Sequence, residues 1–229
     1  MIVVRKVEER LRQRAPRRLS PLGKLGEELS LRLYDLWLAP GEHIELDDKR
    51  ELELITYVVT GTLAHAVGPH TSALLGPGEL QRVALGLASA GQHTQINPSL
   101  TETTHVVQLL VHDPRRALDA RQEQRRFSLA QRRGLLCAVA MPNAAPGLLH
   151  LHSEITLYSS VLDPGQHLVH GLAAAHSGML HVVSGELSSS GYVLAAGDTV
   201  FAQGERALAC TAREPAEVFL GDALGLTSF

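Results

Sequence analysis

Two stretches, Leu38-Ala-Pro-Gly-Glu-His43 and Tyr57-Val-Val-Thr-Gly-Thr-Leu63, return later in the chain. They reappear as Leu162-Asp-Pro-Gly-Gln-His167 and His181-Val-Val-Ser-Gly-Glu-Leu187. Pro40 and Pro164 are 124 residues apart, and so are Gly61 and Gly185. A third pair, Leu75-Gly-Pro-Gly-Glu79 and Ala195-Ala-Gly-Asp198, lies a few residues closer, as a shorter hairpin in the second copy would require. Three matches in one order, two of them in strict register, make the chain a tandem duplication.

Each copy reads as all-β. Glu51-Leu-Glu-Leu-Ile-Thr-Tyr-Val-Val59, His105-Val-Val-Gln-Leu-Leu-Val111 and Ile155-Thr-Leu-Tyr-Ser-Ser-Val-Leu162 are rich in strand-favouring residues. Pro40-Gly41, Gly76-Pro-Gly78, Pro164-Gly165 and Ala196-Gly-Asp198 punctuate them as turns. Gly61 and Gly185, each after a Val-Val pair, supply the backbone freedom a tight hairpin needs. The spacing predicts two antiparallel barrels, one per copy. The predicted division is a first barrel over residues 1–112, a basic linker over 113–134 and a second barrel over 135–229.

The 229 residues are 45% hydrophobic and 4% aromatic, so Leu, Val and Ala must build the core. A net charge of −3 gives no overall pull toward nucleic acid or membrane. Seven arginines lie between Arg115 and Arg133 against Asp119 and Glu123. Without interleaved aromatics they read as a solvated linker, and no nucleic-acid partner is expected. Cys137 and Cys210 are too few and too far apart for a disulfide framework or a metal knuckle. The start, Met1-Ile-Val-Val-Arg-Lys6, lacks a long apolar run, and no later stretch reaches membrane-spanning length. A cytoplasmic location is the default expectation.

From Ala39-Pro-Gly-Glu-His43 through Glu51-Leu-Glu53 to Tyr57-Val-Val-Thr-Gly61 the chain closely resembles the first motif of the pirin family. The likeness continues through Pro77-Gly-Glu-Leu-Gln81, His93-Thr-Gln-Ile-Asn-Pro-Ser99, Gln108, Glu123-Gln-Arg-Arg-Phe127, Gly197-Asp198 and Gly221-Asp222. It runs roughly from Leu29 to Leu224. The resemblance implies a bicupin: two jelly-roll barrels, with iron or another divalent transition metal held in the first by three histidines and a glutamate. Some bacterial members oxidise quercetin with dioxygen, and eukaryotic members are nuclear cofactors of transcription.

At those four ligand positions this chain has Asp47, Lys49, His93 and Gln95. A lysine ammonium offers no lone pair and puts positive charge where a cation would sit. Gln95 keeps a carbonyl but loses the carboxylate charge. No metal is therefore expected, and Asp47 and Lys49, on one strand face, are expected to pair with each other. Glu53 matches a family glutamate outside the usual ligand set and is expected to pair structurally. His43, Glu45, Glu51, Glu53, His65 and His93 remain candidates for a shifted site in the first barrel. In the second copy Asp47 and Lys49 correspond to Gly171 and Ala173, while His150 and His152 share a strand face beside Glu154. His167, His170, His176 and His181 complete its histidines.

Two functions from different classes follow. One is a metal-free protein that binds a small molecule or a protein partner through pocket residues Asp47, Lys49, Glu53, His93 and Gln95 and acts in regulation. The other is a metal-dependent quercetin 2,3-dioxygenase-like enzyme with an altered site. Metal-free catalysis by a desolvated Lys49 ranks third, because no matched acid–base pair accompanies it.

Overall fold

The computed structural model describes residues 1–6, 18–19, 29–46, 52–67, 70–85, 93–113, 118, 122–224 and 227–228. In chain order the first strands are β1 (Ile2–Arg5), β2 (Arg18–Leu19), β3 (Ser30–Leu38), β4 (His43–Leu46), β5 (Leu52–Thr60), β6 (Leu63–Val67), β7 (His70–Leu75), β8 (Glu79–Leu85), β9 (His93–Ile96), β10 (Thr104–His112) and β11 (Glu123–Arg126). A short helical turn, α1 (Leu129–Arg132), precedes β12 (Cys137–Met141), β13 (Leu149–His150), β14 (Ile155–Leu162), β15 (His167–Gly171), β16 (His176–Ser184) and β17 (Glu186–Ser189). The chain closes with β18 (Tyr192–Ala195), β19 (Thr199–Gln203), β20 (Ala207–Ala212), β21 (Ala216–Leu224) and β22 (Thr227–Ser228). Among the described residues no helix is long and apolar enough to cross a membrane.

The chain divides into two compact units. The first comprises the described residues of Gln13–Arg126 together with Leu149–Ser153. Its larger sheet runs β11-β8-β5-β10-β3 and its smaller one β2-β4-β9-β6-β7. Leu36, Leu54, Val58, Val83, Val106 and Leu110 from the larger sheet pack with Ile44, Leu63 and Leu75. The second unit takes in Phe127–Leu148, Glu154–Ser228 and the first residues of the chain. Its larger sheet carries β1-β19-β16-β21-β14-β12 and its smaller one β15-β20-β17-β18. Leu162, Leu180, Val182, Val218 and Leu220 there meet Leu187, Leu194, Leu208 and Cys210.

Two segments depart from the predicted division. Ile2–Arg5 pairs with Thr199–Ala202 at the edge of a second-unit sheet. Lys6 Nζ holds it there, bonding Asp198 Oδ2 at 2.8 Å and the Val193 carbonyl at 2.6 Å. Glu123–Arg126, inside the stretch read as a linker, is a strand paired with Glu79–Arg82. Both are edge strands held by backbone bonds, which any sequence can make. The remainder of the basic stretch, residues 114–117 and 119–121, lies outside the described residues.

Strand registers repeat between the copies. In the first, Gln108 pairs with both Tyr34 and Thr56, and Thr56 with Gln81. In the second, Leu220 pairs with both Tyr158 and Leu180, and Leu180 with Val200. Likewise Ile44 opposes Gln95 and Leu46 opposes His93, where Leu168 opposes Cys210 and His170 opposes Leu208. The same lattice positions thus carry different chemistry in the two copies.

Gly61 and Gly185 hold positive φ of 78° and 79°. A Cβ on Gly185 would stand 2.0 Å from the Pro215 carbonyl oxygen, and one on Gly61 would stand 2.6 Å from Thr104 Oγ1. Both strain and collision act against any side chain at Gly185. Gly185→Ala is therefore expected to lose about 2 kcal/mol or more of stability, read as a lower urea midpoint at unchanged slope.

Candidate functional site

Inward-facing positions of the first unit are apolar at both ends and polar in the middle. On the larger sheet Gln81, Thr56 and Gln108 stand side by side on β8, β5 and β10, because their backbones are register partners. From the smaller sheet His93 and Gln95, two residues apart on β9, share a face as strand alternation demands. His65 on β6 stands opposite Gln95. Thr56, His65, Gln81, Gln95 and Gln108 are each 0% exposed, and His93 is 6% exposed.

Buried amides and imidazoles must find partners or lose stability. Gln95 Nε2 donates to Thr56 Oγ1 at 3.0 Å, and Gln108 Nε2 reaches the same hydroxyl at 3.3 Å. Gln108 Nε2 also donates to Gln95 Oε1, closing a three-residue ring across the two sheets. His65 Nε2 and His93 Nδ1 share a hydrogen bond of 3.0 Å, their rings 5.2 Å apart. Burial pushes the His65 pKa down from 6.5 to about 4, helped by the His93 charge and opposed by hydrogen bonding of the ring to Gln81 as acceptor. Burial lowers His93 as well.

Of the residues singled out from sequence, His93 and Gln95 thus meet inside the first unit. Asp47, Lys49 and Glu51 lie outside the described residues. Glu53 faces elsewhere, fully buried against fully buried Arg82, with Oε1 3.0 Å from Nε. It also accepts the His152 and Ser153 backbone N–H groups at 2.9 and 2.8 Å, and the Ser153 hydroxyl. Its role is to anchor the segment Leu149–Ser153. His43 is exposed and joins nothing at the site. In the second copy Gly171 and Ala173 are exposed. His150 and His152 meet ring edge to ring face at 5.0 Å rather than converging on a point.

Sequence reading singled out neither Thr56 nor the joint position of Gln81 and Gln108. The available signal was alternation: Leu54, Thr56 and Val58 share one face, so Thr56 interrupts an otherwise apolar row.

Fit to a cupin metal can be tested on these groups. His93 Nε2 is buried without a hydrogen-bond partner and keeps a lone pair available in the appropriate tautomer. The Gln95 carbonyl is already taken by Gln108. Among the described residues no group of three His, Cys, Asp or Glu could hold a metal ion. One imidazole nitrogen and one engaged amide fall short of the three or four donors a transition metal requires. Asp47 and Lys49, the other two ligand positions, lie outside the described residues.

A duplicated all-β chain with two sheets about each core is the layout that cupin proteins share. The family model described as "Quercetinase C-terminal cupin domain" matches residues 138–223. Quercetin 2,3-dioxygenase of Escherichia coli (strain K12) is 30% identical over 173 residues, covering 76% of this chain and 73% of that protein. The crystal structure of YhhW from Escherichia coli superposes with a TM-score of 0.79 at 26% identity, covering 100% of both chains. The structure of bacterial pirin YhhW in complex with nickel(II) gives 0.79 at 25% identity, covering 98% of this chain and 99% of that one. The chain belongs to the pirin family of cupin proteins.

Two predictions follow from the buried groups. Unfolded His65 takes up a proton near pH 6.5 and folded His65 only near 4, so the folded state is favoured while the ring is neutral. That stability is complete above pH 6.5 and is lost as pH falls from 6.5 toward 4, in total about 3 kcal/mol. Urea unfolding of chelator-treated protein at pH 7.5 and 5 should show the fall, and His65→Gln should flatten it. Separately, Glu53→Ala takes the carboxylate away from buried Arg82 and from two backbone N–H groups, and is expected to cost about 3–5 kcal/mol by the same measurement.

Proposed function

We propose that each copy is a jelly-roll barrel and that the protein is a metal-free binding member of the pirin family. It would serve a regulatory role by binding a small molecule or a protein partner rather than by oxidising quercetin. The observation that carries this reading is the closed ring of Gln95, Gln108 and Thr56. Gln95, at a ligand position, gives its amide to its neighbours, and Lys49 at another ligand position has no lone pair while protonated. Oxygen activation needs a redox metal with open positions, and this donor set does not supply the ligands for one.

A second reading is favoured by the relatives. A protein 30% identical is named quercetin 2,3-dioxygenase, and a structural neighbour was obtained with nickel(II). On that reading Asp47 and His93, with iron or another divalent metal, would make an altered dioxygenase centre.

Elemental analysis of purified protein, with oxygen uptake on quercetin, separates the two. The metal-free reading expects well under one equivalent of iron, nickel, copper or zinc and no quercetin-dependent uptake, even after nickel or iron is added. Asp47→His, Lys49→His and Gln95→Glu together should bring metal content toward one equivalent. A stoichiometric metal in the unaltered protein that His93→Ala removes would establish the second reading instead.

A further inference from the structure

The smaller sheets of the two units differ at one edge. In the first unit β4 lies between β9 and β2, and Arg18–Leu19 pairs in parallel with Glu45 and Leu46. In the second unit β15, which matches β4 in register, pairs with β20 and stands at the end of its sheet. Glu45 and Leu46 correspond there to Val169 and His170. Among the described residues, no strand takes the place beside β15 that β2 fills beside β4.

The ladder shows which backbone groups face that open side. Ala212 N donates to Gln166 O, and Leu172 N donates to Arg206 O. Even-numbered residues of this segment therefore bond β20. Antiparallel pairs alternate between bonded and unbonded, so His167, Val169 and Gly171 direct their N–H and C=O groups away from β20. The same three residues are exposed, Val169 to 61%.

The other edges of the smaller sheets are guarded, as sheet edges usually are by charge, proline, bulges, brevity or cover. On β18 the Val193 carbonyl is taken by Lys6 Nζ at 2.6 Å, and on β7 the Leu74 carbonyl is taken by Gln124 Nε2 at 3.0 Å. Strand β2 is only two residues long. By contrast His167-Leu-Val-His-Gly171 contains no Lys, Arg, Asp, Glu or Pro and pairs with β20 without a bulge.

We propose that β15 is a dimerisation edge, pairing antiparallel with β15 of a second copy about a two-fold axis at Val169. Val169 then faces the partner's Val169, and His167 faces the partner's Gly171. Each such pair is of the bonded kind and exchanges two backbone N–H···O bonds. Gly171 leaves room for the facing imidazole, since a Cβ built on it would meet nothing within 4 Å. A second copy is favoured over a foreign peptide because the strand complements itself: valine meets valine, imidazole meets glycine, and no carboxylate or ammonium opposes its like. A two-fold contact uses one strand twice and closes, which limits assembly to two chains. The inference is independent of whether the first unit holds a metal.

Sedimentation velocity of the full chain from about 1 µM to about 1 mM should show a monomer–dimer equilibrium. Val169→Lys sets like charges opposite each other, and Val169→Pro removes an N–H that β20 does not use. Each should weaken dimerisation at least about tenfold while leaving the thermal midpoint of the monomer nearly unchanged. In a Cys137→Ser background, oxidised Val169→Cys should crosslink two chains, whereas Val193→Cys on the guarded β18 edge should not. A monomer throughout the range overturns the proposal, as does a dimer that both the lysine and the proline leave intact or that Val193→Cys crosslinks as readily. Slow amide exchange at Val169 and Gly171 in dilute monomer overturns it too, because a segment of the same chain would then cover the edge.

Discussion

The polar middle of the first copy turns on one constraint: buried amides and imidazoles lose stability unless they find hydrogen-bond partners. Gln95, Gln108 and Thr56 do so across two sheets, and His65 with His93 does so beside them. A buried polar group without a partner costs on the order of 1–3 kcal/mol, so the ring favours one arrangement of the strands that carry it. The same bonds occupy the Gln95 carbonyl that a metal would need.

Duplication lets each copy act as a control for the other. Equivalent register positions carry Thr56 and Leu180, Gln108 and Leu220, Gln95 and Cys210. The first copy places its polar groups mid-way between the sheets, with Leu52 and Leu110 buried in its apolar core. The second leaves the middle apolar and places His170, His176 and Asp222 at the end. The two interiors therefore carry opposite polarity at equivalent positions.

Much of the fold was legible in residue order alone. Pro40 with Pro164 and Gly61 with Gly185 revealed the repeat, and positive φ at both glycines is the backbone reason for their recurrence. His93 and Gln95 could be placed on one face because strands alternate. Their partners could not be found the same way. Thr56 and Gln108 are 52 residues apart in the chain and meet only through strand register, which sequence spacing does not encode. Edge strands Ile2–Arg5 and Glu123–Arg126 were missed because backbone pairing leaves little mark on side-chain choice. Glu53 was read as a structural partner, but its hold on the Ser153 backbone depends on contacts 100 residues away. The expected pairing of Asp47 with Lys49 falls outside the described residues.

The central claim is that Gln95 and His93 Nδ1 are committed to hydrogen bonds with neighbouring side chains. ¹⁵N-edited imidazole spectra at pH 7.5, recorded before and after one equivalent of nickel(II), test it directly. The account predicts neutral His65 and His93 rings whose resonances neither shift nor broaden when nickel is added. Loss or paramagnetic displacement of the His93 resonance at one equivalent would contradict it.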